Sequence, residues 1–269
     1  MKATIVVDNI PSGGLKGEWG LCIYIEYEGR KLLLDAGNSD LFAENLKKMD
    51  IPIEEIEYAF LSHAHSDHSR GFPRFFAENQ RAQLYLQECC KENCYFKLGF
   101  LSVYEGIPKG MLTKNANRIV RVKGKTEILD GLYVLPHKPS NESLGKYQHM
   151  YVRKDGKLTA DDFSHEQSLV FRTGRGLAVF NSCSHTGADA IIEEVKEAFP
   201  GEPVFAYLGG LHLAGQPTAY MRRIAAGIRE SGIERVYTGH CTKEKGFSVL
   251  KEELGDMLTQ FKVGMEIEI

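Results

Sequence analysis

Short apolar runs alternate with polar, glycine-punctuated turns along most of the chain. Runs rich in β-branched and aliphatic residues at 3–7, 21–27, 31–35, 57–61, 84–86, 119–122, 132–135, 168–172, 177–181, 204–208, 235–237 and 263–269 predict strands. Glu28-Gly29-Arg30 marks a hairpin between the second and third of these. Helical spacing predicts helices over about 40–49, 72–79, 89–92, 188–199 and 218–231, and one more after 242. Leu41, Phe42 and Leu46 form the apolar face of the first, with Ser39 or Asp40 at its cap. The pattern fades between 88 and 165 and is polar and loop-like from 136 to 163. No Pro- or Ser-rich linker divides the chain. A single domain over 1–269 is expected, with roughly 88–165 as an insertion that covers the site.

Composition sets the class. Hydrophobic residues make up 43% and charged residues 26% of 269, as in an ordinary globular protein with a substantial core. The net charge of -3 provides no global basic field, so nucleic acid is not an expected partner. No apolar run approaches the roughly 18 residues needed to cross a bilayer, so no membrane partner is expected either. A strand-like start and six dispersed cysteines resemble neither a secretory leader nor a disulfide framework, and a reducing cytoplasm is the expected location. Nothing in the pattern sets the oligomeric state.

The densest chemistry follows the apolar run 58–61. His63-Ala64-His65-Ser66-Asp67-His68 places three imidazoles and one carboxylate within six residues. These are ligands for borderline divalent metals such as zinc. An exposed histidine-rich loop is the alternative, but the local density far exceeds that of nine histidines in 269 residues. In extended backbone His63, His65 and Asp67 project to one side, and a turn at Asp67-His68 lets His68 join them.

Four other turns share one design, a strand followed by a tight polar turn. They are Leu34-Asp35-Ala36-Gly37, Cys183-Ser184-His185-Thr186-Gly187, Gly209-Gly210-Leu211-His212 and Gly239-His240-Cys241-Thr242. Strands lying side by side would bring them to one edge beside the main cluster. His185 is expected to join His63 and His65 on one ion; its other role is to cap the helix from 188. His240 is expected to join Asp67 and His68 on a second ion. His212 is a ligand or a substrate-binding residue, with substrate binding favoured, and the adjacent Gly209-Gly210 backbone is expected to hold an anion. Cys183 is either a metal thiolate or a small buried side chain. Asp35 suits the orientation of a histidine ligand. Cys89, Cys90 and Cys94 lack the spacing of a zinc knuckle. His137, His149 and His165 read as surface residues, with His149 or His165 able to reach substrate. Lys138, Lys146 and Arg153 belong to a solvated loop or contact an anionic substrate.

The His63-x-His65-x-Asp67-His68 run, with Asp35-x-Gly37 before it and isolated histidines after it, resembles the metallo-β-lactamase superfamily. Val7-Asp8-Asn9, Glu18-Trp19-Gly20-Leu21, Leu61-Ser62-His63 and those four turns are similar to a branch of dihydropterin-phosphate synthase-like enzymes. The resemblance implies an α/β (α+β) fold, a four-layer αββα sandwich with a dinuclear metal site. It implies divalent ions, two zinc first, with iron or manganese as substitutes. It further implies a metal-activated hydroxide acting on a small phosphorylated or ester substrate, with Asp67 and His212 as catalytic residues. The alternatives are a phosphodiesterase or nuclease, which needs a positive groove, and a metal-dependent small-molecule binding protein without turnover. One departure stands out. The position of the superfamily's bridging aspartate holds Cys183, so the bridge is either Cys183 or hydroxide alone.

Overall fold

The computed structural model describes residues 1–139 and 149–269, so Lys146 lies outside the described residues. The first half of the chain supplies strands β1 (Lys2–Val7), β2 (Cys22–Tyr27), β3 (Arg30–Leu34), β4 (Tyr58–Phe60), β5 (Gln83–Gln87), β6 (Cys94–Leu98), β7 (Leu101–Tyr104) and β8 (Ile119–Val122). The second half supplies β9 (Thr126–Leu129), β10 (Leu132–Pro136), β11 (Met150–Lys154), β12 (Lys157–Ala160), β13 (Gln167–Thr173), β14 (Gly176–Cys183), β15 (Val204–Gly210), β16 (Arg235–Thr238), β17 (Leu258–Gln260) and β18 (Glu266–Glu268). One seven-stranded sheet runs β18-β1-β2-β3-β4-β5-β8 and the other β17-β16-β15-β14-β13-β10-β9.

Each sheet is antiparallel at one end and parallel at the other. β3, β4, β5 and β8 are parallel neighbours in the first, as are β14, β15, β16 and β17 in the second. Parallel neighbours require crossovers. The helices Leu41–Lys48, Phe72–Glu78, Ala188–Ala198, Thr218–Glu230 and Lys243–Leu254 provide five of them, and the segment 88–118, with β6, β7 and the short helix Met111–Lys114, provides the crossover from β5 to β8.

Strand alternation sends neighbouring residues to different layers. Ile23, Ile25, Leu32 and Leu34 bury between the sheets with Leu169, Phe171, Ala178 and Phe180. Cys22, Tyr24 and Leu33 face the other way, under Phe42, Phe72 and Phe75. Leu177 and Val179 do the same beneath Ile191, Ile224 and Leu250. Three apolar layers thus separate helix, sheet, sheet and helix, the αββα sandwich. Strands buried on both faces need no polar side, which is why their runs are almost wholly apolar. Truncating a central side chain such as Phe180 to alanine costs roughly 3–5 kcal/mol by this packing.

The structure corrects the expectation for the polar stretch. Within 136–163, β11 and β12 form, and they join β6 and β7 in a separate sheet of order β12-β11-β6-β7. Their solvent-facing sides mask the alternation. The helix expected at 89–92 does not form. Gln87 takes the Cys89 N–H with its side chain and the Cys90 N–H with its carbonyl, and this closes a turn. At the histidine run, extended backbone ends at His65, and Ser66–Ser69 is a helical turn carrying Asp67 and His68.

Candidate metal centre

The C-terminal ends of β3, β4, β14, β15 and β16 lead directly into the turns that hold Asp35, His63, His185, His212 and His240. Ligands collect at such strand ends in α/β sheets. The rings of His63, His65 and His185 form a triangle, with centroids 4.6, 5.0 and 4.9 Å apart. Beside it, Asp67 Oδ2 lies 3.7 Å from His68 Nε2 and 3.4 Å from His240 Nε2. The two sets adjoin, since the His63 and His68 rings are 4.2 Å apart. The His212 ring packs 4.1 Å from that of His185, tilted by 42°.

Each ligand-type side chain is held from behind. Asp35 accepts the Ser62 N–H and hydroxyl at 2.7 Å each, and its Oδ2 lies 2.7 Å from His68 Nδ1. Because the Ser62 hydroxyl donates to Asp35, His63 Nδ1 donates in turn to Ser62 Oγ, at 2.8 Å. Both Nδ1 atoms carry protons, so both Nε2 atoms are the ones that face inward. His240 N donates to Asp8 Oδ1 at 2.7 Å, and Asn9 Nδ2 donates to the His240 carbonyl at 2.7 Å. Glu166 accepts the N–H groups of His185 and Thr186 at 3.0 Å each. His65 turns Nε2 toward Asp161 Oδ2, at 3.5 Å. Asp35, His212 and His240 all have positive φ, at 61°, 47° and 48°. Such strained backbone clusters at functional sites.

Electrostatics favour ligand forms in one set and ion pairing in the other. Burial, then the neighbouring His68, drives the His63 imidazole well below its ordinary value. Burial, then His212, does the same for His185. Neutral imidazole is the form that binds metal. Burial alone would raise Asp67, but His68 and His240 outweigh it and hold the carboxyl below the usual range. Burial opposes charge on His68, yet Asp67 and Asp35 push it up to about 9.

The donors fit a divalent ion. His63 Nε2 is buried with no hydrogen-bond partner among the described residues, a deficit of about 1–3 kcal/mol that an ion would relieve. His65 Nε2 faces an Asp161 oxygen at 3.5 Å, and His240 Nε2 faces an Asp67 oxygen at 3.4 Å. Imidazole, carboxylate and thiol together suit zinc or iron.

The model of the metallo-β-lactamase superfamily matches residues 19–144. The solved structure of Tm1679, a metal-dependent hydrolase of the β-lactamase superfamily, aligns with a TM-score of 0.84 at 25% identity, over 100% of this chain and 99% of that one. The superfamily's model thus covers just under half of this chain, and the whole chain takes the metallo-β-lactamase fold. Its fold is also that of zinc-bound PqqB from Methylobacterium extorquens, with a TM-score of 0.59 at 13% identity over the whole of both chains. A Methanocaldococcus jannaschii protein, named 7,8-dihydropterin-6-methyl-4-(β-D-ribofuranosyl)-aminobenzene-5′-phosphate synthase, is 23% identical over 93% of this chain and 89% of its own.

In this metallo-β-lactamase fold the remaining expectations sort as follows. Gly209 and Gly210 do not offer an anion cradle; both are buried at the end of β15. A Cβ on Gly209 would lie 1.6 Å from the Asn181 carbonyl oxygen, and one on Gly210 2.4 Å from Cys241 Sγ. The glycines let strands approach closely. His137 and His165 are buried, not on the surface. His137 bridges Glu194 and Ser168 at 2.8 and 2.6 Å, and His165 Nε2 lies 3.1 Å from Asp161 Oδ2. His149 is exposed, as are Lys138 and Arg153. Asp8, Ser62, Asp161 and Glu166 escaped notice as positioning residues. Only Asp8 and Ser62 carried a signal, each lying inside a motif of the resemblance, Val7-Asp8-Asn9 and Leu61-Ser62-His63. A cavity of about 370 Å³ opens over the centre, walled by Trp19, Arg70, Phe96, Met150, His185 and His212.

Proposed function

We propose that this metallo-β-lactamase-fold protein is an enzyme that holds two divalent ions, zinc first, and turns over a small phosphorylated or ester substrate. The observation that carries the proposal is the pair of adjoining donor sets beneath one cavity. His63, His65 and His185 would hold one ion, and Asp67, His68 and His240 the other. Bound there, divalent ions supply Lewis acidity and bring the ionisation of water close to neutral pH.

The chain's own groups do the rest. Asp67 stays ionised and reaches the cavity, so it can orient a water and accept its proton. His212 lines the same cavity and can donate to an anionic group. Arg70 stands at the wall, bonded to Asn38 Oδ1 at 2.9 Å and paired with Glu105 at 3.4 Å, and its guanidinium can contact a phosphate beside that pair. Trp19 and Phe96 provide apolar walls.

A volume near 370 Å³ favours a small ligand over a polynucleotide. The synthase name of the Methanocaldococcus jannaschii relative supports a second reaction on the same site, bond formation with a phosphorylated dihydropterin-type substrate. The test is turnover by metal-loaded protein of bis-p-nitrophenyl phosphate, simple esters and phosphorylated heterocycles. Metal-dependent turnover of any of them supports an enzyme. Binding without turnover across the panel supports the binding-protein alternative instead.

A further inference from the structure

The two donor sets share one atom. Cys183 Sγ lies within 4.8 Å of the ligand nitrogens of His63 and His185, and within the same distance of those of His68 and His240. Its separation from His68 Nε2 is 3.3 Å. Zinc–sulfur and zinc–nitrogen bonds of about 2.3 and 2.0–2.1 Å put two ligands of one tetrahedral ion roughly 3.5 Å apart. The observed spacing is thus that of atoms sharing an ion. A hydrogen bond from the thiol would explain the approach to His68; it would not explain a sulfur common to both sets.

The sheet fixes this sulfur. Cys183 is the last residue of β14, 2% exposed, and pairs with Gly210 of β15. A second thiol, Cys241, has its sulfur 3.1 Å from that of Cys183. Cys241 also accepts the His212 N–H at 3.3 Å, which turns its sulfur toward the His212 side of the centre.

Resting on the two-ion reading above, we propose that Cys183 is itself a metal ligand whose thiolate joins the ion of His63, His65 and His185 to the ion of Asp67, His68 and His240. Ligation replaces the S–H proton, which passes to solvent as the ions bind. A thiolate softens the centre and selects zinc, iron or cobalt over magnesium. Cys241 remains a hydrogen-bonding neighbour.

The test loads the metal-free full-length chain with Co²⁺ and reads cobalt content together with absorption. The parent protein is expected to take up two cobalt ions and show a sulfur-to-cobalt charge-transfer band in the near ultraviolet. Cys183→Ser should lose that band and Cys241→Ser should keep it. Cys183→Asp should hold two ions with no band, and it serves as the test if Cys183→Ser does not fold. Two ions without a band in the parent overturn the thiolate and leave the two-ion reading standing. A band that survives Cys183→Ser or Cys183→Asp, or vanishes in Cys241→Ser alone, overturns the assignment to Cys183. One cobalt per chain overturns the bridge and the two-ion reading together.

Discussion

Asp35 shows how single residues set the chemistry. It is wholly buried, with φ at 61°, a conformation that costs a non-glycine residue about 1–3 kcal/mol. In return its two oxygens fix Ser62 and His68, and through Ser62 the tautomer of His63. Asp35→Asn removes the charge behind His68 and is expected to weaken metal binding by roughly 10–100-fold with the fold retained. Competition against a chelator measures this, and an unchanged affinity would contradict it. His68 also gives the metal-stripped protein a pH signature. Asp67 and Asp35 raise its folded pKa from 6.5 to about 9. Its stabilisation is therefore complete below about pH 6.5 and is lost as pH rises through about 9. The melting temperature of metal-free protein should fall across that window more steeply for the parent than for His68→Gln. At this scale the histidine run was legible because its members are adjacent in sequence. Asp161 and Glu166 were not, since their partners, His65 and His185, lie on other elements. Gly209-Gly210 was misread because a glycine pair serves an anion turn and a tight strand crossing equally well, and only the neighbouring strand decides.

Elements with a period or an unbroken apolar run were readable, among them β4, β8 and β16 of only three or four residues; short elements without such a run were not. The central strands and the helices Leu41–Lys48, Ala188–Ala198 and Thr218–Glu230 lie close to their expected bounds, because burial imposes a repeat on their sequences. β9, β17 and the turn Ser66–Ser69 are too short to repeat. β11 and β12 belong to a projecting sheet whose sides face solvent, so polarity reads as loop. Two substitutions separate these regimes. Gly209→Ala at the β15 end drives a methyl into the Asn181 carbonyl and should cost roughly 4 kcal/mol or more, or abolish folding. Phe100→Ser at the β6–β7 tip, where the side chain is 94% exposed, should shift stability by less than about 0.5 kcal/mol. Thermal unfolding of the two variants checks both, and similar losses at the two positions would contradict the layer assignment.

For the whole molecule, the sandwich matters because it brings distant sequence to one edge. Asp8 holds His240 across 232 positions, and Glu166 holds the loop of His185. Neither half of the chain contains all of the proposed ligands, so the cluster exists only when the two sheets are packed. The resemblance carried by the histidine run gave the architecture; the residues that aim the ligands emerged only from the packed sheets. The most direct measurement is metal content per chain on protein purified without added metal, taken alongside the same measurement on His63→Ala and His240→Ala. The account predicts two ions in the parent, loss of an ion in each variant, and loss of metal-dependent turnover with it. One ion or none in the parent, or full turnover in a metal-poor variant, would contradict it.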